Sequence, residues 1–241
     1  MKKIRPLSKE QVLKTAYIIV LISFIIPAVF LTLRIFGLGE YFRSRADYAL
    51  MLIQCLLGIV VIHVPMILEK KFKFEIPTTL CLMYIIFLYC AIFLGEVRDF
   101  FYTVKNWDVI LHCFRIIMAG SFVYMVVSLL NRDEHTSIKL SPFFVALFSF
   151  CFAVTIGAVW EIYEYCADDF LGLNMQKFML ADKTVLSGHS AITDTVKDII
   201  VDCMGALLAS ATGYLSIKRG KGWISQMISD YPSKRESSNK E

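Results

Sequence analysis

Six apolar stretches, each long enough to cross a lipid bilayer as a helix, constrain this 241-residue chain more than anything else in it. A helix rises about 1.5 Å per residue and the hydrocarbon layer is about 30 Å thick, so a run of roughly 20 apolar residues reads as a membrane span. The runs cover about Leu13 to Phe36, Tyr48 to Leu68, Pro77 to Phe101, Asp108 to Leu130, Ser141 to Phe170 and Asp194 to Ile217. Basic residues precede the first run, as in a signal peptide, but its apolar part is too long for an h-region and no small-residue cleavage site follows, which predicts a retained helix. Hydrophobic residues make up 57% of the chain and charged residues 19%, with mean hydropathy +0.61, which excludes a disordered, coiled-coil or collagen-like chain and sets it apart from soluble enzymes. Its seven cysteines lie in apolar stretches without a CxxC pair, which reads as packing rather than a disulfide framework or a thiolate metal site. The expected fold is all-α: a bundle of six transmembrane helices in one membrane domain. Residues 13–68 are expected to form two peripheral helices, 77–217 a four-helix core with a polar centre, and 218–241 a tail.

Orientation follows from the basic residues, because loops rich in Lys and Arg remain in the cytoplasm. Sixteen of the 25 precede the first span, separate the second from the third or the fourth from the fifth, or follow the sixth. Arg43, Arg45, Lys105, Lys177 and Lys183 occupy the other side. Both termini are therefore expected in the cytoplasm. The net charge of +4 belongs largely to these loops and the tail and does not argue for nucleic acid. Membrane lipid is the expected partner.

Against this apolar background the acidic residues are unevenly placed. Ten of the 21 sit at the extracytoplasmic ends of the last four spans: Glu96 and Asp99, Asp108, then Glu161, Glu164, Asp168 and Asp169, and finally Asp194, Asp198 and Asp202. Their spacing is helical. Asp108, His112 and Arg115 share one face at i, i+4 and i+7; Glu161, Glu164 and Asp168 share another; Asp194, Asp198 and Asp202 form a strict four-residue stripe. A charge at the centre of a membrane helix costs about 2.5–3.5 kcal/mol even on a permissive scale, so these faces are expected to point inward at one another. Crowded carboxylates repel, and relief comes from Arg98, Arg115 and Lys197, from protonation or from a bound cation. Carboxylates with a single imidazole suit Mg²⁺, Mn²⁺ or Ca²⁺, and Zn²⁺ through His112. The candidate metal ligands are Asp108, His112, Glu161, Asp198 and Asp202. Glu164 and His112 are the candidate acid–base groups, and Arg98, Arg115 and His189 the candidate substrate contacts. A structural ion-pair network at wet helix ends is the plainer alternative.

Other features carry less. Leu186-Ser187-Gly188-His189-Ser190 is similar to the central motif of the phosphatidic-acid phosphatase superfamily, but no His follows His189 to serve as that family's nucleophile. His189 does sit in the long outer loop between the fifth and sixth spans, and such loops often act as lids or binding elements. His63, alone on the second span, reads as a hydrogen-bonded packing residue. Gly205, Ala209 and Gly213 form a small-residue face for close helix packing on the sixth span.

Trp107-Asp108 with His112, then Trp160-Glu161-Ile162-Tyr163-Glu164, then Asp194, Asp198 and Asp202 running into Gly205-Ala206 resembles the YjdF-like family of bacterial inner-membrane proteins, over about Glu96 to Lys218. More distantly, the aspartate-rich last span resembles the VanZ-like group, membrane proteins linked to resistance to cell-wall glycopeptides. The resemblance implies a multi-pass protein of the bacterial cytoplasmic membrane and no particular reaction. Arg115, where the family is Gly-rich after the histidine, is a departure. Two classes of function stand open: a metal-assisted enzyme acting on a lipid or lipid-linked envelope substrate, and a proton- or cation-coupled transporter. A noncatalytic sensor or interaction subunit is a third. The near-absence of polar residues below Glu161 and Asp202 favours a one-sided site.

The charge asymmetry makes a direct prediction. In a background without reactive native cysteines, cysteines at Lys105 and Lys183 should react with a membrane-impermeant thiol reagent added to intact cells, whereas one at Lys71 should not. Labelling at position 71 alone would invert the protein.

Overall fold

The computed structural model describes residues 8–38, 45–72, 75–132, 140–180 and 183–220. The basic segment 1–7, the loop 133–139 and the tail from residue 221, on which part of the orientation argument rests, lie outside the described residues. Among the described residues there are eight α-helices: α1 (Lys9–Ile35), α2 (Arg45–Val61), α3 (Val64–Phe72), α4 (Thr78–Leu88), α5 (Phe100–Thr103), α6 (Trp107–Arg132), α7 (Pro142–Leu171) and α8 (Thr193–Arg219). A π-helix, Tyr89–Val97, continues α4, and a 3₁₀ turn, Gly188–Ile192, leads into α8. Together they supply six segments long and apolar enough to cross a membrane, as expected from the hydropathy. Among the described residues the only β-structure is a single antiparallel bridge, Met179 to Val185. The fold is all-α and the protein is a multi-pass membrane protein.

The chain divides into two compact units, residues 1–111 and 112–241, with the division one turn inside α6. In the first unit α1 packs on α2 and α4. Val20, Phe24, Ile62, Ile85 and Leu88 form one buried cluster; Ala28, Leu31, Tyr48, Met51 and Cys55 form another. A capping box starts α1, with the Gln11 amide donating to Ser8 Oγ at 3.2 Å and the Ser8 amide to Gln11 Oε1 at 2.9 Å.

The second span is broken where the hydropathy gave one continuous run, and Pro65 is the reason. It lacks the N–H that would bond the Val61 carbonyl in an unbroken helix. An unpaired carbonyl in an apolar layer costs several kcal/mol, so the freed groups must find donors. The Tyr84 hydroxyl donates to Val61 O at 2.7 Å, and His63 Nδ1 meets Ile59 O at 2.8 Å. With that proton on Nδ1, His63 Nε2 accepts from the Tyr17 hydroxyl at 2.8 Å. His63 is thus the hydrogen-bonded packing residue that its isolation suggested. The third span also ends differently, because Asp99 adopts a left-handed conformation, φ 61°, and separates the π-helix from α5.

In the second unit α6, α7 and α8 pack closely. Val123, Tyr124, Val127, Val145 and Ala146 form its lower cluster, and Ile116, Ala153 and Ala206 contribute one small core from each helix above it. Hydroxyls stitch the helices through backbone carbonyls: Ser149 Oγ donates to Gly120 O at 3.1 Å, Tyr124 to Ser210 O at 2.7 Å, and Ser210 Oγ to Ala146 O. The opposite face of α7 exposes Phe143, Phe144, Leu147, Phe148, Val159 and Ile162, as a lipid-facing surface requires. Ser141 caps α7, accepting from the Phe144 amide at 3.2 Å, and Gly172 ends it with φ 66°.

The helix break gives a test. Tyr84→Phe keeps the ring but removes the donor to Val61 O, and should destabilise the protein by about 1–3 kcal/mol. Thermal melting in detergent measures it. Melting equal to that of the wild type would show that the hydroxyl is not what satisfies the broken turn.

Candidate functional site

The second unit brings three polar faces together. His112 and Arg115 come from α6, Glu161 and Glu164 from α7, and Asp198 and Asp202 from α8. Relative exposures of 1% for His112, 5% for Glu161 and for Glu164, 2% for Asp198 and 1% for Asp202 place all five away from solvent. At this burial a charge persists only if something compensates it.

For the inner half, that compensation is visible. Arg115 Nη2 donates to Asp202 Oδ2 at 3.0 Å and lies 3.0 Å from His112 Nδ1, which is 3.2 Å from Asp202 Oδ1. The guanidinium also stacks over Trp160, 4.7 Å from the ring centroid, and Trp160 Nε1 donates to Glu164 Oε1 at 2.7 Å. A connected series therefore runs Asp202–Arg115–Trp160–Glu164. Gly157 makes room for it: a Cβ there would collide with the Asp202 carboxylate.

The outer half gathers Asp108, Asp198 and Glu161 about the Nε2 side of His112. His112 Nε2 stands 4.0 Å from Asp198 Oδ2. Ligand atoms within 4.8 Å of His112 come both from Asp198 and from Asp108, one turn earlier on the same helix. Glu161 interacts electrostatically with Glu164, His112, Asp198 and Arg115. Both Glu161 carboxylate oxygens are buried with no hydrogen-bond partner among the described residues. His112 connects the halves. When its Nδ1 proton is donated to Asp202, Nε2 carries the lone pair on the Asp198 side, the arrangement by which a carboxylate orients a metal-binding imidazole.

Several residues grouped by spacing do something else. Asp168 accepts from the amides of Met175 at 2.6 Å and Gln176 at 2.9 Å, which fastens the loop between α7 and α8 to the end of α7. Asp194 pairs with Lys177 at 3.1 Å, and Gln176 Nε2 donates to Thr195 Oγ1 at 2.9 Å, which fastens the same loop to α8. Between these ties Asn174 bonds both the amide and the carbonyl of Met179, and Leu186 N donates to Phe178 O at 2.8 Å. His189 is exposed on the 3₁₀ turn before α8. Lys197 is exposed and does not neutralise the cluster; only its neighbour Asp198 faces inward. Arg98 is exposed and Glu96 half-buried, both within the first unit. Two contributors escaped the spacing argument, Trp160 and Gly157. Their signal was present, since Trp160 lies one turn from Glu164, and Gly157 one turn before Glu161, where a side chain would fill the site.

Six spans and a buried acid–histidine cluster define a multi-pass membrane protein with a polar centre. Residues 10–219 match the family described as Predicted membrane protein (DUF2238), and the chain belongs to that family. An uncharacterised protein of Thermotoga maritima is 30% identical over 146 residues, which cover 58% of this chain and 65% of that protein. No solved structure matches the chain. The resemblance to a bacterial membrane family is thus upheld.

Two glycines test the geometry of the cluster against each other. Gly157→Ala should displace Asp202 and cost about 1–3 kcal/mol, the usual penalty of overpacking. Gly205→Ala, whose Cβ would meet Ile116 at an ordinary 3.5 Å, should be neutral or stabilising. Equal melting temperatures for the two variants would contradict this placement of Asp202.

Proposed function

We propose that the chain binds one divalent cation in the outer half of the cluster and uses it for metal-assisted chemistry on a lipid or lipid-linked envelope substrate. Glu161, His112 through Nε2 and Asp198 are the ligands, with Asp108 as a further oxygen donor. The observation that carries the reading is Glu161, a buried carboxylate whose two oxygens have no hydrogen-bond partner among the described residues and which interacts electrostatically with His112 and Asp198, themselves within ligand range of each other. Arg115 is within electrostatic reach of Glu161, but its Nη2 donates to Asp202 and the Glu161 oxygens receive no hydrogen bond from it. An oxygen-rich set with one imidazole suits Mg²⁺, Mn²⁺ or Ca²⁺, with Zn²⁺ less well matched.

A cation held there would polarise a phosphoryl or acyl oxygen and activate water. Glu164, oriented by the Trp160 N–H, is the carboxylate placed to take the proton. The packing beneath supports a one-sided site. Ile116, Ala153 and Ala206, next to the site on their three helices, form a buried apolar cluster, and the hydroxyls of Ser149, Ser210 and Tyr124 donate to backbone carbonyls. A transport path would have to pass that cluster.

Metal analysis with melting curves tests the reading. After equilibration with Mn²⁺, the purified wild type should hold stoichiometric metal and lose melting temperature with a chelator. Glu161→Gln should lose the metal, yet melt without metal at or above the wild-type temperature, since repulsion falls. Asp202→Asn should melt lower, because removing one member of a buried pair costs about 3–5 kcal/mol. A wild type that binds no metal and ignores the chelator, together with a strongly destabilised Glu161→Gln, would reduce the cluster to a structural ion-pair network.

A further inference from the structure

We propose that Arg115 is a tethered cation occupying the inner of two cation positions in this cluster, so that the protein takes one divalent ion where its ligand set would otherwise admit two. The inference rests on the outer half being a cation site as proposed above. One atom makes the case: Arg115 Nη2 is 3.0 Å from an imidazole nitrogen, His112 Nδ1, and 3.0 Å from a carboxylate oxygen, Asp202 Oδ2. A divalent metal sits at about 2.0–2.2 Å from such atoms, so a shift below 1 Å in each would convert this pair of contacts into coordination. With both positions filled by metal, His112 would bridge the two ions as an imidazolate, its Nδ1 proton released to solvent, and the other Asp202 oxygen, 3.2 Å from the same nitrogen, is a further donor in reach.

The guanidinium is built into this position. It is 7% exposed, stacks on Trp160 at 4.7 Å, and faces Asp202 across the space kept open by Gly157. Arginine keeps its charge under all biological conditions, whereas a metal exchanges with solution. Arg115 therefore neutralises Asp202 permanently and leaves the exchangeable charge to the outer ligands. It also repels a second cation at close range in a region of low dielectric, where such repulsion is strong. This makes Arg115 a residue that sets cation stoichiometry, as distinct from a ligand or a contact for substrate.

Counting bound Mn²⁺ per chain in wild type, Arg115→Met, Arg115→Gln and Arg115→Lys tests it. The Met and Gln variants should each bind one more Mn²⁺ than wild type, with a spin-coupled electron paramagnetic resonance signal absent from wild type. Arg115→Lys, which keeps a charge, should match wild type. Adding Asp202→Asn to Arg115→Met should remove the extra ion. An unchanged count in Arg115→Met and Arg115→Gln overturns the proposal, as does failure of both to fold in Mn²⁺-containing buffer, since a position prepared for a cation would be filled by it. The wild-type count separates the two readings: no ion in wild type refutes the proposed function and this inference with it, whereas one ion in wild type and still one in Arg115→Met overturns this inference alone.

Discussion

The buried charges of the second unit are organised around the contact between Arg115 and Asp202. Two opposite charges, both away from solvent, meet at 3.0 Å among helices otherwise joined by apolar packing and a few hydroxyl–carbonyl bonds. Neither is tolerable there alone. Together they occupy the centre of a three-helix unit, and each is held by a different neighbour: Asp202 by His112, and Arg115 by the face of Trp160. A buried pair of this kind contributes little net stability compared with an apolar substitute, but it does select one arrangement of helices over others. Rotating α8 by a single residue would carry Asp202 toward lipid and leave Arg115 uncompensated. The pair thus fixes the register in which Glu161 and Asp198 are presented.

The same accounting governs the first unit by different means. Pro65 takes a donor out of a membrane helix, and the protein answers with side chains from three elements: Tyr84 from α4, Tyr17 from α1 and His63 at the break itself. No charge is involved. Hydroxyls and one imidazole suffice because the freed groups are neutral carbonyls. Where α7 and α8 carry carboxylates, the requirement is charge, and a guanidinium supplies it for Asp202.

Much of this was legible in the sequence. Hydropathy located all six spans and helical spacing placed His112, Glu161, Glu164, Asp198 and Asp202 on inward faces, because lipid allows a charged stripe no other direction. What spacing could not supply was partnership. Asp168 shares a face with Glu161 and Glu164, yet its distance along the helix takes it to the last turn, where the loop amides of Met175 and Gln176 reach it first. Lys197 is adjacent to Asp198 in sequence, and adjacency on a helix means a turn of about 100°, which puts it outside. The break at Pro65 was masked because apolar residues continue through it and hydropathy does not register a missing N–H. Gly157 is informative only through what it does not contain, which becomes apparent when the carboxylate beside it is known.

The loop between α7 and α8 has a consequence for how the protein is made. Asp168 grips its beginning, and Lys177 and Gln176 reach its far end at Asp194 and Thr195, so α7 and α8 are joined by a structured clasp. A helix bearing Glu161 and Glu164, or one bearing Asp198 and Asp202, is a poor candidate for release into lipid by itself. Clasped as a hairpin, the two can leave the insertion machinery as one object, with their acidic faces already turned toward each other and toward the α6 segment that carries Arg115. The order of synthesis favours this, since Arg115 is translated first and is in place before the carboxylates arrive. Biogenesis would then proceed without any step in which an acidic helix must dissolve alone in hydrocarbon.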